Sequence, residues 1–286
     1  MLQFVPNKRI EDGNLILFIL IGTIQLFYLL SIAFQKNKEK LETKGDIISI
    51  FYIIIIVWTM VTAKLDLLDQ NLYPSPSVIA NLFILDFPKL ITGLISSLEL
   101  LAVGYILALL LAIPLALFIG WRKRLFRAAD PITKVLAPIP PIVYIPYAIA
   151  ILPTFKGASV FLIFIGVFWP VFINTLNGLF NVDKSIIDSA KVLKVRERTM
   201  LFKIILPATL PYIFNGANIG LVMAFILLTA AEMIGATSGL GWYVKYFSDF
   251  GDYPRVIVGI IFIGLVATVL TFGLNKLEKW LLRWKK

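Results

Sequence analysis

Cysteine and histidine are both absent from the 286 residues, which excludes disulfides, thiolate metal sites and the imidazole that usually carries protons or binds zinc near neutral pH. No G-x-x-x-x-G-K-[ST] phosphate loop occurs either, so the chain has no phosphate cradle of its own for hydrolysing a nucleoside triphosphate. Charge is scarce: Asp, Glu, Lys and Arg together make up 15% of the residues and gather in short clusters. Apolar residues take their place, at 59% of the chain and a mean hydropathy of +0.89, far beyond an ordinary soluble domain. Lipid is the solvent such a composition calls for. The fold class expected is all-α, a polytopic bundle of membrane helices with no enzyme chemistry of its own.

A spanning helix rises about 1.5 Å per residue across a hydrocarbon core of about 30 Å, so it needs about 20 mainly apolar residues. Seven stretches come close: Asn14 to Phe34, Ile47 to Ala63, Leu94 to Gly120, Val135 to Phe155, Gly157 to Val182, Pro207 to Ala231 and Val256 to Asn275. Only the third contains a charge, Glu99. Ser31-Ile32-Ala33 resembles a signal cleavage site, an alternative reading of the first stretch, whose apolar run nevertheless exceeds a typical signal core.

Lys and Arg are retained on the cytoplasmic side of a membrane and so report orientation. One set of alternate loops holds Lys36, Lys38, Lys40 and Lys44, then Arg122, Lys123, Arg124, Arg127 and Lys134, then Lys184, Lys191, Lys194, Arg196, Arg198 and Lys203, and finally the basic C-terminus. The other holds only Lys8, Arg9, Lys64, Lys89, Lys156, Lys245 and Arg255. The N-terminus is therefore expected outside and the C-terminus inside. The net charge of +10 lies mostly at inner helix ends, where anionic lipid headgroups rather than nucleic acid are the expected partner. On the outer side, Asp66, Asp69, Asp86, Asp249 and Asp252 are expected to keep two Pro- and Gly-punctuated loops solvated. The polar run Gln35 to Asp46 reads as a linker.

The longest inner loop, about residues 183–207, carries apolar residues at helical spacing (Ile186, Ile187, Ala190, Leu193, then Leu201, Ile204 and Ile205) with charges on its other faces. Two short amphipathic helices are predicted, either lying on the membrane or docked to another protein through the small Ser189 and Ala190. In the fourth stretch Pro138, Pro140, Pro141, Pro146 and Pro153 each remove a backbone donor. Irregular backbone at membrane depth is tolerated only where it is buried in protein or faces water. Tyr144, Pro146, Asn174 and Asn177 are thus candidates for the lining of a path, with helix packing as the alternative. Glu99 and Glu232 are candidates for a path or gate because a carboxylate in lipid is costly unless solvated or paired. Glu232 sits near the outer end of its stretch, where hydration would suffice. Gly216 and Gly220 read as packing residues.

The inner loop also resembles the EAA motif of binding-protein-dependent ABC importer permeases: Glu-Ala-Ala, three residues, Gly, nine residues, then Ile-x-Leu-Pro. Asp188-Ser189-Ala190 stands for the triplet, Lys194 for the glycine, and Ile204-Ile205-Leu206-Pro207 falls at the required distance. The stretch from Pro138 to Pro146, Asn174-Thr175, and Glu232-Met233-Ile234 followed by Gly239-Leu240-Gly241 are similar to the nitrate, sulfonate, taurine and bicarbonate branch. The resemblance implies an ABC type I permease domain over residues 46–286, preceded by an extra helix and basic loop at 1–45. It also implies separate ATPase subunits carrying ATP and Mg, an extracytoplasmic binding protein, and a second permease chain in a homodimer or heterodimer. No cofactor is implied in this chain. Ile186, Asp188, Ser189, Ala190, Leu193, Lys194, Ile204, Leu206 and Pro207 would then form a coupling helix seated in the ATPase. Lysine at 194, where a left-handed turn favours glycine, predicts a remodelled turn. A proton-coupled transporter using Glu99 and Glu232, or a structural subunit that transports nothing, remain the competing readings.

Overall fold

The computed structural model describes residues 8–9, 14–34 and 38–283. Its helices, in chain order, are α1 (Asn14–Phe34), α2 (Lys38–Thr59, prolonged by a π-helical turn Met60–Lys64), α3 (Pro76–Leu85), α4 (Phe87–Trp121), α5 (Lys123–Leu136), α6 (Ile145–Ile151, entered through a 3-10 turn Pro141–Tyr144) and α7 (Phe155–Phe180). They continue with α8 (Lys184–Val192), α9 (Glu197–Thr199, followed by a π-helical stretch Met200–Ile205), α10 (Leu206–Gly235), α11 (Leu240–Asp249) and α12 (Tyr253–Leu281). Among the described residues, six helices are long and apolar enough to cross a membrane, or seven if one bent pair counts as a span. The all-α expectation is met.

Three boundaries differ from expectation. The fourth stretch is not one helix: α5 stops at Leu136, and Lys123–Leu136 meets Pro141–Ile151 at a bend of 79°. Pro138, Pro140 and Pro141 withhold three backbone donors there and bias the residue before each away from helix. The polar run before the second stretch is helical from Lys38, since Lys, Glu and Leu are strong helix formers whatever their polarity; residues 35–37 lie outside the described set. The sixth span does not begin at Pro207, because helix runs without a break from Glu197 to Gly235. Proline at 207 and 211 cannot donate, and around them the ladder shifts register, with Leu206 N donating to Leu201 O.

The chain forms two compact units, Met1–Ile91 with Tyr243–Phe262, and Thr92–Trp242 with Ile263–Lys286. In the second, α4, α7 and α10 pack through small residues. Gly104, Ala108, Ala112, Ala116 and Gly120 recur every four residues along α4, and the three alanines are wholly buried. A Cβ on Gly104 would lie 2.7 Å from Ile163 Cγ2, and one on Gly120 2.8 Å from Leu176 Cδ2. On α10, a Cβ at Gly216 would meet Pro170 O at 2.8 Å and Asn174 Cβ at 2.9 Å. Spans in lipid associate by such close approach, because the tails are as apolar as the side chains.

In the first unit, α1 and α2 are joined by Tyr52, whose hydroxyl donates to Gln25 Oε1 at 3.0 Å. The Pro-Ser-Pro turn is a helix start: Ser75 Oγ accepts from Val78 N and Pro76 takes the first helical position. The Arg9 guanidinium ties the preceding loop together, bonding Asp66, Leu68 O and Tyr73 O.

Candidate functional site

Asp183 begins α8 by accepting from Ser185 N at 2.9 Å, a bond that holds its carboxyl below the usual range. The helix ends in a complete Schellman turn: Val195 N donates to Ala190 O at 3.1 Å and Lys194 N to Lys191 O at 2.9 Å. Lys194 itself occupies the left-handed region, at φ +52°. The expectation of a remodelled turn is therefore overturned. The two hydrogen bonds and the packing of Val195 into the core around Ala190 hold the turn, against a cost of about 1 kcal/mol for a left-handed residue with a Cβ. Lys194→Gly is expected to raise stability by about 0.5 kcal/mol, the relief exceeding the added freedom of the unfolded chain. Thermal unfolding in detergent measures it, and a lowered midpoint would count against strain at this position.

Ala190 is buried in a cluster with Leu117, Leu179, Val182, Met200 and Ile205, ringed by partly buried Ile187, Ile204 and Leu206. Its methyl group seats α8 on the chain's own helices, which corrects the expectation that it contacts another protein. Pro207 likewise lies within a continuous helix rather than ending the loop. Uncovered instead are Ile186, Val192 and Leu193, the last two at 82% and 76% exposure. Ser189 is exposed, and so is Asp188, which accepts from Lys191 Nζ at 3.3 Å.

Glu232 is buried rather than hydrated, at 1% exposure. Ser97 Oγ donates to its Oε1 at 2.6 Å and Gly241 N to its Oε2 at 2.7 Å, while Ser97 Oγ accepts from Leu240 N at 2.9 Å. The carboxyl thus clasps the first turn of α11, satisfying backbone donors that a helix start leaves open. Glycines make room for it. Gly239 has φ +131° and any Cβ there would run into the Glu232 carboxyl; a Cβ on Gly93 would lie 3.2 Å from Gly239 O.

The remaining path candidates have separate neighbours. Glu99 is exposed and accepts from Lys156 Nζ through both oxygens, at 3.2 and 3.3 Å. Tyr144 packs on the cluster of Ile145, Ala148, Ala158, Leu162 and Ala231, and Pro146 is exposed in the first turn of α6. Asn174 joins α7 to α10: its Nδ2 donates to Pro170 O at 2.8 Å and its Oδ1 accepts from Asn215 Nδ2 at 2.9 Å. Asn177 is exposed and lines a cavity of about 370 Å³ with Asp130, Thr133, Lys134 and Pro138. Sequence reasoning missed Ser97, Lys156 and Asn215. Glycines at 239 and 241 soon after a carboxylate were the one visible signal for the clasp.

In the other unit, Asp86 between α3 and α4 is also buried, correcting its assignment as a solvating loop residue. Its carboxylate accepts from Lys89 Nζ at 2.8 Å, Arg255 Nε at 2.7 Å and Tyr243 OH at 2.9 Å. Burial alone would raise the carboxyl; the three donors outweigh it and hold it below its ordinary value. The Tyr243 phenol is pushed up, by burial first and then by its bond to Asp86. Asp66, Asp69, Asp249 and Asp252 likewise accept bonds from Arg9, Asn71 N, Lys245 and Arg255. Among the described residues, no group of three or more Asp or Glu is placed to hold a metal ion.

Residues 108–283 match the family model described as the binding-protein-dependent transport system inner membrane component. A nitrate import permease protein of Leptolyngbya laminosa is 37% identical over 175 residues, 61% of this chain and 63% of that protein, so the match spans just under two thirds of it. A bicarbonate transport system permease protein of Synechocystis is 32% identical over 186 residues, 65% of this chain and 66% of that one. Among solved structures, the inward-facing MetNI methionine ABC transporter superposes with a TM-score of 0.59 at 16% identity, covering 68% of this chain and 97% of the other. That likeness fixes the fold.

Proposed function

The chain belongs to the family of binding-protein-dependent transport system inner membrane components, the non-catalytic permease subunits of ABC-type importers, and we propose that it forms the path for a small solute of the nitrate, sulfonate, taurine or vitamin-precursor type. An extracytoplasmic binding protein delivers the solute, separate ATPase subunits bind ATP and Mg, and a second permease chain completes the path. The similarity to nitrate and bicarbonate permeases supports the solute class. The chain lies in the plasma membrane with its N-terminus outside and its C-terminus in the cytoplasm, as the distribution of Lys and Arg supports. Residues 46–286 make the permease domain, and the helix and basic loop before it are an addition.

One observation carries the coupling role. Helix α8 is anchored beneath by Ala190 while Ile186, Val192 and Leu193 stay uncovered beside Ser189, an apolar ridge on an inner loop where lipid tails do not reach. The ridge seats in a groove of the ATPase; Asp188 and Lys194 flank it, and Ile204, Leu206 and Pro207 transmit its movement into α10 through unbroken helix. Glu232, Asn174 and Tyr144 shape the path as positioning residues, and Glu99, Pro146 and Asn177 face it. A proton carrier must be able to shed its bonds, and the hydrogen bonds that close around Glu232 favour a clasp over that role.

Val192→Asp with Leu193→Asp is the direct test. Both positions are exposed, so insertion and thermal stability are expected to stay unchanged. Loss of two central apolar contacts is expected to weaken assembly with the ATPase by about 2–4 kcal/mol and abolish ATP-driven uptake in proteoliposomes. Full ATPase recovery with normal uptake would overturn the coupling role.

A further inference from the structure

Within the unit formed by Thr92–Trp242 and Ile263–Lys286, every Lys and Arg but one belongs to the inner loops and the C-terminal end; the exception is Lys156, the second residue of α7. Its partner, Glu99, lies twelve residues beyond the start of α4, about 18 Å along the helix. Neither side chain is covered by the chain, with 69% and 60% exposure. Only about 8 Å of that length lies inside the apolar stretch that opens at Leu94, and Lys156 begins its own helix, so the pair sits at the outer ends of both spans, within reach of water. Both Glu99 oxygens reach the same ammonium, at 3.2 and 3.3 Å. Two partly negative oxygens on one planar centre are also what nitrate or bicarbonate presents, and a sulfonate offers two of its three in the same way.

We propose that Lys156 is the cation that receives an oxyanion at the outer mouth of the path, and that Glu99 is the internal anion exchanged for it. This deepens the solute class given above and rests on that reading. An exposed ion pair is weak, so an arriving anion displaces Glu99 at little cost. The displaced carboxylate then stays close and repels the bound anion. Binding is thereby kept loose enough for release inward, as conduction requires. Sequence alone hid the pair, because 57 residues separate its members.

The test uses the assembled permease, ATPase and binding protein with nitrate and methanesulfonate as probes. Two readouts are taken: uptake into proteoliposomes, and acylation of Lys156 by an amine-reactive reagent followed by mass spectrometry. Lys156→Gln is expected to raise the KM for uptake about tenfold, the worth of a charged hydrogen bond, with basal ATP hydrolysis unchanged. Lys156→Arg, which keeps the charge, is expected to restore KM to within about twofold. Glu99→Gln removes the competitor, so nitrate is expected to protect Lys156 from acylation at a severalfold lower concentration than in the wild type. Nitrate protection without any uptake would uphold this site and sink the assigned solute class. Wild-type uptake of nitrate or methanesulfonate, together with an unchanged KM in Lys156→Gln or with no protection of Lys156 by either anion, would overturn the site and leave the solute class standing.

Discussion

Glu232→Ala is expected to lower stability by about 3 kcal/mol, because it strands buried donors that have no water to turn to. In the wild type the carboxyl receives Gly241 N and the Ser97 hydroxyl, and Ser97 in turn receives Leu240 N. Alanine releases two of these donors, the Gly241 amide and the Ser97 hydroxyl, at positions where both residues are buried, and leaves Leu240 N on Ser97. Glu232→Gln keeps an oxygen for Gly241 N and an amide for Ser97, so its expected cost is only about 1 kcal/mol, that of one ordinary hydrogen bond. The order of the two variants separates a hydrogen-bonding role from one of filling volume, since glutamine and glutamate are nearly the same size. Gly239→Ala attacks the same clasp from the other side: at φ +131° a side chain is strained, and its Cβ would collide with the carboxyl. Thermal unfolding of the detergent-solubilised protein measures the series. An alanine variant that melts with the wild type would refute the clasp.

How far the sequence foretold these features depends on where each partner comes from. The spans were legible because a long apolar run in lipid has one outcome, a helix that satisfies its own backbone. The short helices after α7 were legible because their information is local, in apolar residues recurring at helical spacing. Lys194 misled for an instructive reason. Propensity favours glycine in a left-handed turn, but two Schellman hydrogen bonds and the seating of Val195 beside Ala190 are worth more than the strain of one residue. Ala190 misled in another way. A small residue marks a close approach without saying whether the approaching surface belongs to the same chain, and here it does. Carboxylates were the least legible. Glu99, Glu232 and Asp86 look alike in sequence, yet one is exposed in an ion pair, one clasps backbone amides, and one accepts from three side chains. Gly241 and Lys89 lie close in sequence to Glu232 and Asp86, but the side-chain donors Lys156, Ser97 and Tyr243 lie 57, 135 and 157 residues from their carboxylates, beyond the reach of a local pattern.

Asp86→Ala should be among the most damaging single changes in the Met1–Ile91 and Tyr243–Phe262 unit, at about 2–3 kcal/mol, because it removes charge-assisted hydrogen bonds and strands the buried Tyr243 hydroxyl. It would leave the Arg255 guanidinium and the Lys89 ammonium, both stacked over the Phe247 ring, without the carboxylate between them. Asp252 would still hold Arg255 and water would reach the exposed Lys89 ammonium, so the loss falls chiefly on the buried Tyr243 hydroxyl. The direction of the shift at Asp86 sets the pH at which the same loss appears in the wild type. Its carboxyl is held below the ordinary value of about 3.9, so its contribution is complete above about pH 4 and disappears as the pH falls through the lower folded value. Tyr243 has the opposite sign. Its phenol is raised above the ordinary value of about 10, so the neutral hydroxyl supports the fold fully below that pH and fails as the pH rises through the folded value. The gap in unfolding midpoint between wild type and Asp86→Ala is therefore expected to stay level between about pH 5 and 9. It should narrow only beyond those limits, on the acid side because the carboxylate is protonated and on the alkaline side because its tyrosine donor is lost. A gap that closed gradually between pH 7 and 5 would mean that Asp86 titrates above its ordinary value, and that burial rather than its three donors governs the site.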